Sequence, residues 1–240
     1  MKIEFIPVLE EALAYPPEPM KKNLPDWFRD MSSYSVEGKM TAKDLNASGS
    51  QTHFTGKRCV PMMDFMTSGY IIKTNTEIMV SPGDDGGFAD FHWRTIGQAE
   101  KKFGTHPHIQ LPVLMDGKRR NYLKIFSGHM IRTPPGYSCL FYQNPYFREN
   151  RFKLFPAIVD TDVYDSPIAF SGYWTDQMTE QTIALGTPVA VVFPFKRDYW
   201  KMEVSDKIRD NDKESKFVAR MKTMFMNNYR NFVHQKKAYD

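Results

Sequence analysis

The chain is poor in cysteine, in long apolar runs and in net charge. Of its 240 residues only Cys59 and Cys139 are cysteines, far apart and without a C-x-x-C pair. That spacing excludes a disulfide framework and a zinc ribbon, and favours a reducing compartment. No stretch approaches the roughly 20 apolar residues that a membrane helix needs. The opening Met1-Lys2-Ile3-Glu4-Phe5-Ile6-Pro7 also lacks the apolar run of a secretory signal. The expectation is a soluble protein of a cytoplasm or of a particle, with no membrane partner. Lys and Arg number 32 against 28 Asp and Glu, a net charge of +4. Bulk charge therefore gives no case for nucleic acid, which would need a local basic patch. There is no internal repeat and no G-x-S-x-G nucleophile turn. The Gly-rich run Ser81-Pro82-Gly83-Asp84-Asp85-Gly86-Gly87 lacks the Lys-Ser/Thr ending of a phosphate cradle, and reads as a hairpin or surface loop.

What the chain has is apolar and aromatic substance, 41% hydrophobic and 14% aromatic residues, enough for a real core. Its arrangement centres on residues 133–195. Pro134-Pro135-Gly136 is a tight corner opening the apolar run Tyr137-Ser138-Cys139-Leu140-Phe141. Ala157-Ile158-Val159 follows as a strand that ends on Asp160-Thr161-Asp162. Ile168-Ala169-Phe170 and the Gly-led run 186–195 add two more. Short strands are also expected at Lys2–Phe5, Tyr70–Lys73, Glu77–Val80, Phe88–Trp93, Leu123–Phe126 and Met130–Arg132, with residues 94–110 as a loop. Asp26 to Met31 after Pro25, and Met62 to Met66 before Ser68-Gly69, fit short helices. Many short strands between turn signals predict a mainly β chain, a distorted barrel or sandwich.

The C-terminus differs. Phe217, Met221, Met224, Phe225, Tyr229 and Phe232 recur at three- and four-residue steps, the stripe of an amphipathic helix starting near Asp212. Phe217, Met221, Phe225 and Phe232 are expected to be buried, with Lys213, Lys216, Arg220, Lys222 and Arg230 on a solvated face. The organisation expected is an N-terminal extension over 1–56, a β-rich core over 57–204 and the helix over 205–240.

The order of Gly69-Tyr70-Ile71-Ile72, Pro135-Gly136-Tyr137, Ile158-Val159-Asp160-Thr161-Asp162-Val163-Tyr164 and Gly186-Thr187-Pro188-Val189-Ala190 resembles the motif order of the dUTPase and dCTP deaminase superfamily. The resemblance covers roughly residues 66–196 and implies a β-clip fold. It also implies a general-base role for Asp160, which would activate water against a nucleotide phosphate. Tyr137, Asp162 and Tyr164 would be binding residues, and Mg²⁺ would lie on the phosphates. The whole chain, including Leu24-Pro25-Asp26-Trp27-Phe28, also resembles proteins of marine T4-like phages and some bacteria.

The sequence departs from the superfamily pattern at several places. Val163 displaces Tyr164 by one residue, and Tyr142-Gln143-Asn144-Pro145 stands where an Arg-Ser pair should hold phosphate. The Gly-rich phosphate arm is absent, and Ile71 replaces an aspartate. A site without those donors cannot stabilise the charge it must handle. Asp160 and Asp162 then revert to capping a turn. His92, His106, His108 and His129 remain as candidate metal ligands, since His106 and His108 would share one face of a strand. The expected companion carboxylate after His108 is replaced by Gln110-Leu111-Pro112.

Two expectations follow. The first is a non-catalytic, phage-encoded structural or assembly protein, virion-associated and self-associating or bound to protein partners, without a cofactor. The second is a nucleotide-binding or nucleotide-hydrolysing enzyme using Asp160 and Mg²⁺.

Overall fold

The computed structural model describes residues 1–35, 53–83, 91–95, 102–110, 121–175, 179–207 and 228–240. The chain forms two compact units, each drawn from two lengths of sequence. One joins Met1–Asn23 with Gly69–Arg197, the other Leu24–Ser68 with Asp198–Asp240. The chain is mainly β, as its alternating apolar patterns predict.

In the first unit, β1 (Glu4–Pro7) is followed by β2 (Glu18–Pro19), β5 (Tyr70–Lys73), β6 (Ile78–Pro82), β7 (Phe91–Thr95), β8 (Phe103–His106) and β9 (Tyr122–Phe126). Then come β10 (His129–Arg132), β11 (Tyr137–Tyr142), β12 (Phe152–Leu154), β13 (Ala157–Val159), β14 (Ala169–Trp174), β15 (Gln181–Ile183) and β16 (Pro188–Lys196). β3 (Tyr34–Ser35) and β4 (His53–Phe54) belong to the second unit. A five-stranded sheet runs β13-β11-β16-β5-β2, a four-stranded one β12-β14-β9-β8, a three-stranded one β15-β6-β7, and β1 pairs with β10. Among the described residues none of these sheets closes into a barrel. The loop expected over 94–110 is corrected in part: Phe103–His106 is a strand, antiparallel to β9 with Phe103 opposite Ile125. Its single apolar residue is buried, and pairing by a neighbour supplies what the local pattern does not.

β16 is the spine of the five-stranded sheet. It pairs antiparallel with β11 on one side, where Leu140 faces Phe193, and with β5 on the other, where Ile71 faces Val191. Buried on both faces, it reads as the continuous run Val189-Ala190-Val191-Val192 rather than as an alternation. Ile72, Cys139, Phe141, Val189, Ala190 and Val192 join the main core with Phe152, Phe170 and Trp174 from the four-stranded sheet. Ile71 and Val191 pack with Met20 in a smaller cluster. β5 starts beside Gly69, whose φ of +83° and whose 2.5 Å approach of a would-be Cβ to the Val192 carbonyl oxygen leave room for no other residue.

The second unit carries two short helices where the sequence places them, α1 (Asp26–Asp30) and α2 (Val60–Thr67). Phe28 is buried and meets Trp27 edge to face at 5.5 Å. Asp64 on α2 accepts from His234 Nε2 at 3.0 Å and from Lys237 Nζ at 2.6 Å, so the C-terminal residues are fastened to that helix. α3 (Asn228–Phe232) is helical at the end of the expected amphipathic stripe. Phe217, Met221, Met224 and Phe225, with the side chain of Phe232, lie outside the described residues, as do Lys213, Lys216, Arg220 and Lys222.

Candidate functional site

One end of the five-stranded sheet gathers the residues singled out by the sequence. The register puts Ser138 and Cys139 near the start of β11, with Cys139 opposite Val159 at the end of β13 and Tyr137 opposite Lys196 at the end of β16. Three strand ends therefore meet at one corner. The Pro134-Pro135-Gly136 corner is closed by the Tyr137 N–H donating to the Pro134 carbonyl at 3.2 Å. Gly136 has φ +85° with open space around it, so glycine is required there for conformation alone. The 160–164 segment is a turn rather than a strand continuation. The Val163 and Tyr164 N–H groups both donate to the Asp160 carbonyl, at 3.1 and 2.9 Å.

Arg197, the residue after β16, ties this corner together. Its own N–H donates to the Gly136 carbonyl at 2.8 Å. Its guanidinium makes a bidentate pair with Asp162, Nη1 donating to Oδ1 at 2.8 Å and Nη2 to Oδ2. Asp162 Oδ2 also accepts from the Gly136 N–H at 2.8 Å, and the side chain is only 5% exposed. The Arg197 guanidinium, and after it the Gly136 N–H, hold the Asp162 carboxyl down at about 2. Asp160 Oδ1 accepts from the Ser138 hydroxyl at 2.6 Å and lies 3.2 Å from Arg197 Nη1, while its side chain is 59% exposed. Beneath them, the Thr161 and Thr133 hydroxyls pair at 2.8 Å, and Thr161 Oγ1 lies 3.3 Å from Cys139 Sγ. Cys139 is fully buried, and burial pushes its thiol up to about 11, too high for a nucleophile at neutral pH.

Asp160 and Asp162, named by the sequence, are thus brought together, and Tyr137 contributes its carbonyl, 3.3 Å from Arg197 Nη1. Tyr164 stands in the turn beyond, half exposed. Sequence reasoning missed Arg197 and Ser138, the cation and the hydroxyl at this corner. The only local signal was Arg197's place directly after a strand, and its partner lies 35 residues back.

Chemically, two carboxylates share one guanidinium, which keeps the Asp162 carboxyl ionised and weakly basic. The Mg²⁺ that the superfamily resemblance implies would lie on nucleotide phosphates; between the two carboxylates themselves stands Arg197, its Nη1 3.2 Å from Asp160 Oδ1 and 2.8 Å from Asp162 Oδ1. Among the described residues no group of three or more His, Cys, Asp or Glu could hold a metal ion. The histidines are dispersed: His106 on β8, His108 beyond it, and His129 buried on β10 with Nδ1 2.9 Å from the Ser127 carbonyl. Burial lowers the pKa of His129. His92 stands with Trp93, Arg94 and Glu180 around a cleft of about 250 Å³ at the three-stranded sheet. No helix among the described residues is long and apolar enough to cross a membrane.

In class, then, this is a mainly β protein of open sheets with a salt-bridged acidic corner. No family model and no curated protein sequence matches it. Among solved structures it is similar to the dUTPase of Staphylococcus bacteriophage 80alpha in complex with dUpNHpp, at 7% identity and a TM-score of 0.36, covering 87% of this chain and 90% of that one. It is also similar to the dUTPase of phage phi11 of S. aureus, at 10% identity and a TM-score of 0.32, over 58% of this chain and 84% of that one. No activity follows from likenesses of this size.

Proposed function

We propose that this chain is a non-catalytic assembly protein, and that its acidic corner is a structural latch. The observation that carries the reading is the pairing of Asp160 and Asp162 with Arg197 and Ser138. One Asp160 oxygen accepts from the Ser138 hydroxyl and lies beside the Arg197 guanidinium, and Asp162 is clamped on both oxygens. These bonds pin the ends of β11, β13 and β16 to one another, which is work for a scaffold.

A panel of deoxynucleoside triphosphates with Mg²⁺ in a thermal-melt assay tests this. A ligand at a hundred times its dissociation constant stabilises by about 2.7 kcal/mol. The expected result is no shift with any nucleotide, and no phosphate release from any of them. A nucleotide-specific shift together with turnover abolished by Asp160→Asn overturns the reading in favour of a nucleotide hydrolase.

A further inference from the structure

The two faces of the four-stranded sheet differ in kind. Phe152, Trp174, Phe170, Ile125, Leu123 and Phe103 line one face and are buried in the main core. Because side chains alternate along a strand, the residues between them stand on the opposite face. An antiparallel sheet that solvates one face is ordinarily polar there. This one is aromatic and basic. Lys153 on β12 stands opposite Tyr173 on β14, and Ser171, two residues back, stands opposite Lys124 on β9. Tyr122, two residues before Lys124, stands opposite His106 on β8. Phe155 extends the face beyond β12, its N–H donating to the Ser171 carbonyl at 2.9 Å.

The rings cluster between the cations. Phe155 meets Tyr173 at 5.8 Å and Tyr122 edge to face at 5.5 Å. Tyr122 is buried and supports the other two, which are partly exposed. Lys124 Nζ lies 4.9 Å above the Phe126 ring, and Lys153 Nζ donates to the Glu149 carbonyl at 2.8 Å. The Glu149 carboxylate itself is held by Arg151. Among the described residues neither lysine forms a salt bridge. The four strands contain no Asp or Glu at all.

We infer that this face binds single-stranded nucleic acid, a base stacking on Tyr173 and Phe155 with the adjoining phosphates beside Lys153 and Lys124. Charge and chemistry select the occupant. Cations and rings without a carboxylate suit a polyanion that carries flat π-faces. A duplex has the charge but keeps its bases stacked inside, and an acidic peptide has the charge but no bases for the rings. β14 stands between β12 and β9, so the two lysines start about two strand spacings apart, roughly 10 Å. A base on Tyr173 therefore sits between two cations. The net charge of +4 gives no such preference; the local patch does.

Fluorescence anisotropy on the full chain tests this at about 50 mM salt. The probes are labelled oligothymidylate and oligouridylate, each about 12 nucleotides long, and a DNA duplex of the same length. Saturable binding of a single strand, tighter than of the duplex, is expected, and the two single strands tell DNA from RNA. Lys124→Glu with Lys153→Glu should weaken it roughly tenfold or more and flatten a salt slope of about −1.4, the value for two phosphates. Lys201→Glu with Lys207→Glu makes the same change in net charge on the other unit and should leave binding unchanged. Tyr173→Leu keeps an apolar side chain, removes the π-face, and should weaken binding about fivefold with the slope unchanged. Far-UV circular dichroism with a thermal melt verifies that each variant folds, and the two lysine pairs decide the matter if Tyr173→Leu does not. No binding to either single strand overturns the inference. So does a duplex bound as tightly, an equal loss in the two lysine pairs, or a folded Tyr173→Leu protein that binds like the wild type. The sheet face shares no residue with the acidic corner, so its failure leaves the non-catalytic reading standing.

Discussion

β16 and the segment that follows it make a natural comparison. Both are rich in apolar residues, and only a few residues separate Val192 from Tyr199. β16 has a ladder on each side and Val189 to Val192 are buried, whereas among the described residues Tyr199 to Val204 form no ladder, and they are exposed. The difference teaches that an apolar strand pattern specifies a need for a partner, not where that partner is. For β16 the partners lie in the same chain. For the segment after Arg197 no strand partner stands among the described residues, and the latch marks where the one condition gives way to the other.

The comparison breaks most visibly in the sheet interior. Ile71→Ala, opposite Val191, should destabilise the chain by about 2–5 kcal/mol, because transfer and cavity terms are both lost at a buried site. Denaturant unfolding at constant slope measures it. A cost near zero would mean that this sheet is not the closely packed core described above.

The latch comes next in size, and its signature is in pH. Asp162 has its folded-state value at about 2 against an ordinary 3.8. A depressed carboxyl contributes stability that is complete above the unfolded value and is lost as pH falls toward the folded one. The Asp162 share should therefore fade from about pH 4 down to about pH 2. In Arg197→Met the window should narrow as the carboxyl rises toward its ordinary value, and the midpoint of thermal unfolding at pH 7 should fall. An acid-unfolding curve that is the same in both proteins would remove the latch from the stability of the fold.

The smallest expected effect sharpens the contrast. Trp200→Ala should change the unfolding free energy of the chain by no more than about 0.5 kcal/mol, as for other exposed positions. A cost comparable to that of Ile71→Ala would show that Trp200 is packed within a single chain.

Much of this architecture was legible in the sequence where patterns are local. Tyr70–Lys73, Tyr137–Tyr142, Ala157–Val159 and both short helices could be read from apolar runs bounded by Pro, Gly or Ser. β8 could not, because Phe103-Gly104-Thr105-His106 carries one apolar residue and is a strand by virtue of β9 beside it. The acidic corner was half legible. Asp160 and Asp162 stand at the end of an obvious strand, so their proximity follows from the backbone. Arg197 and Ser138 reach them across the sheet, through a register that no short motif encodes. The exposed run after Arg197 was illegible for a different reason: hydrophobic composition does not distinguish a covered residue from an uncovered one.

The two cysteines turn the molecule into its own stopwatch. Cys59 is exposed, while Cys139 is shut inside β11 with a thiol pushed up to about 11. A thiol reagent in native buffer should therefore label the chain in two widely separated phases. The fast one titrates Cys59 and calibrates the reagent. The slow one waits for β11 to be released from its neighbours, because only an opened sheet exposes the second sulfur. Its rate reads how often β11 comes away from β13 and β16, written into the chain without any engineered tag.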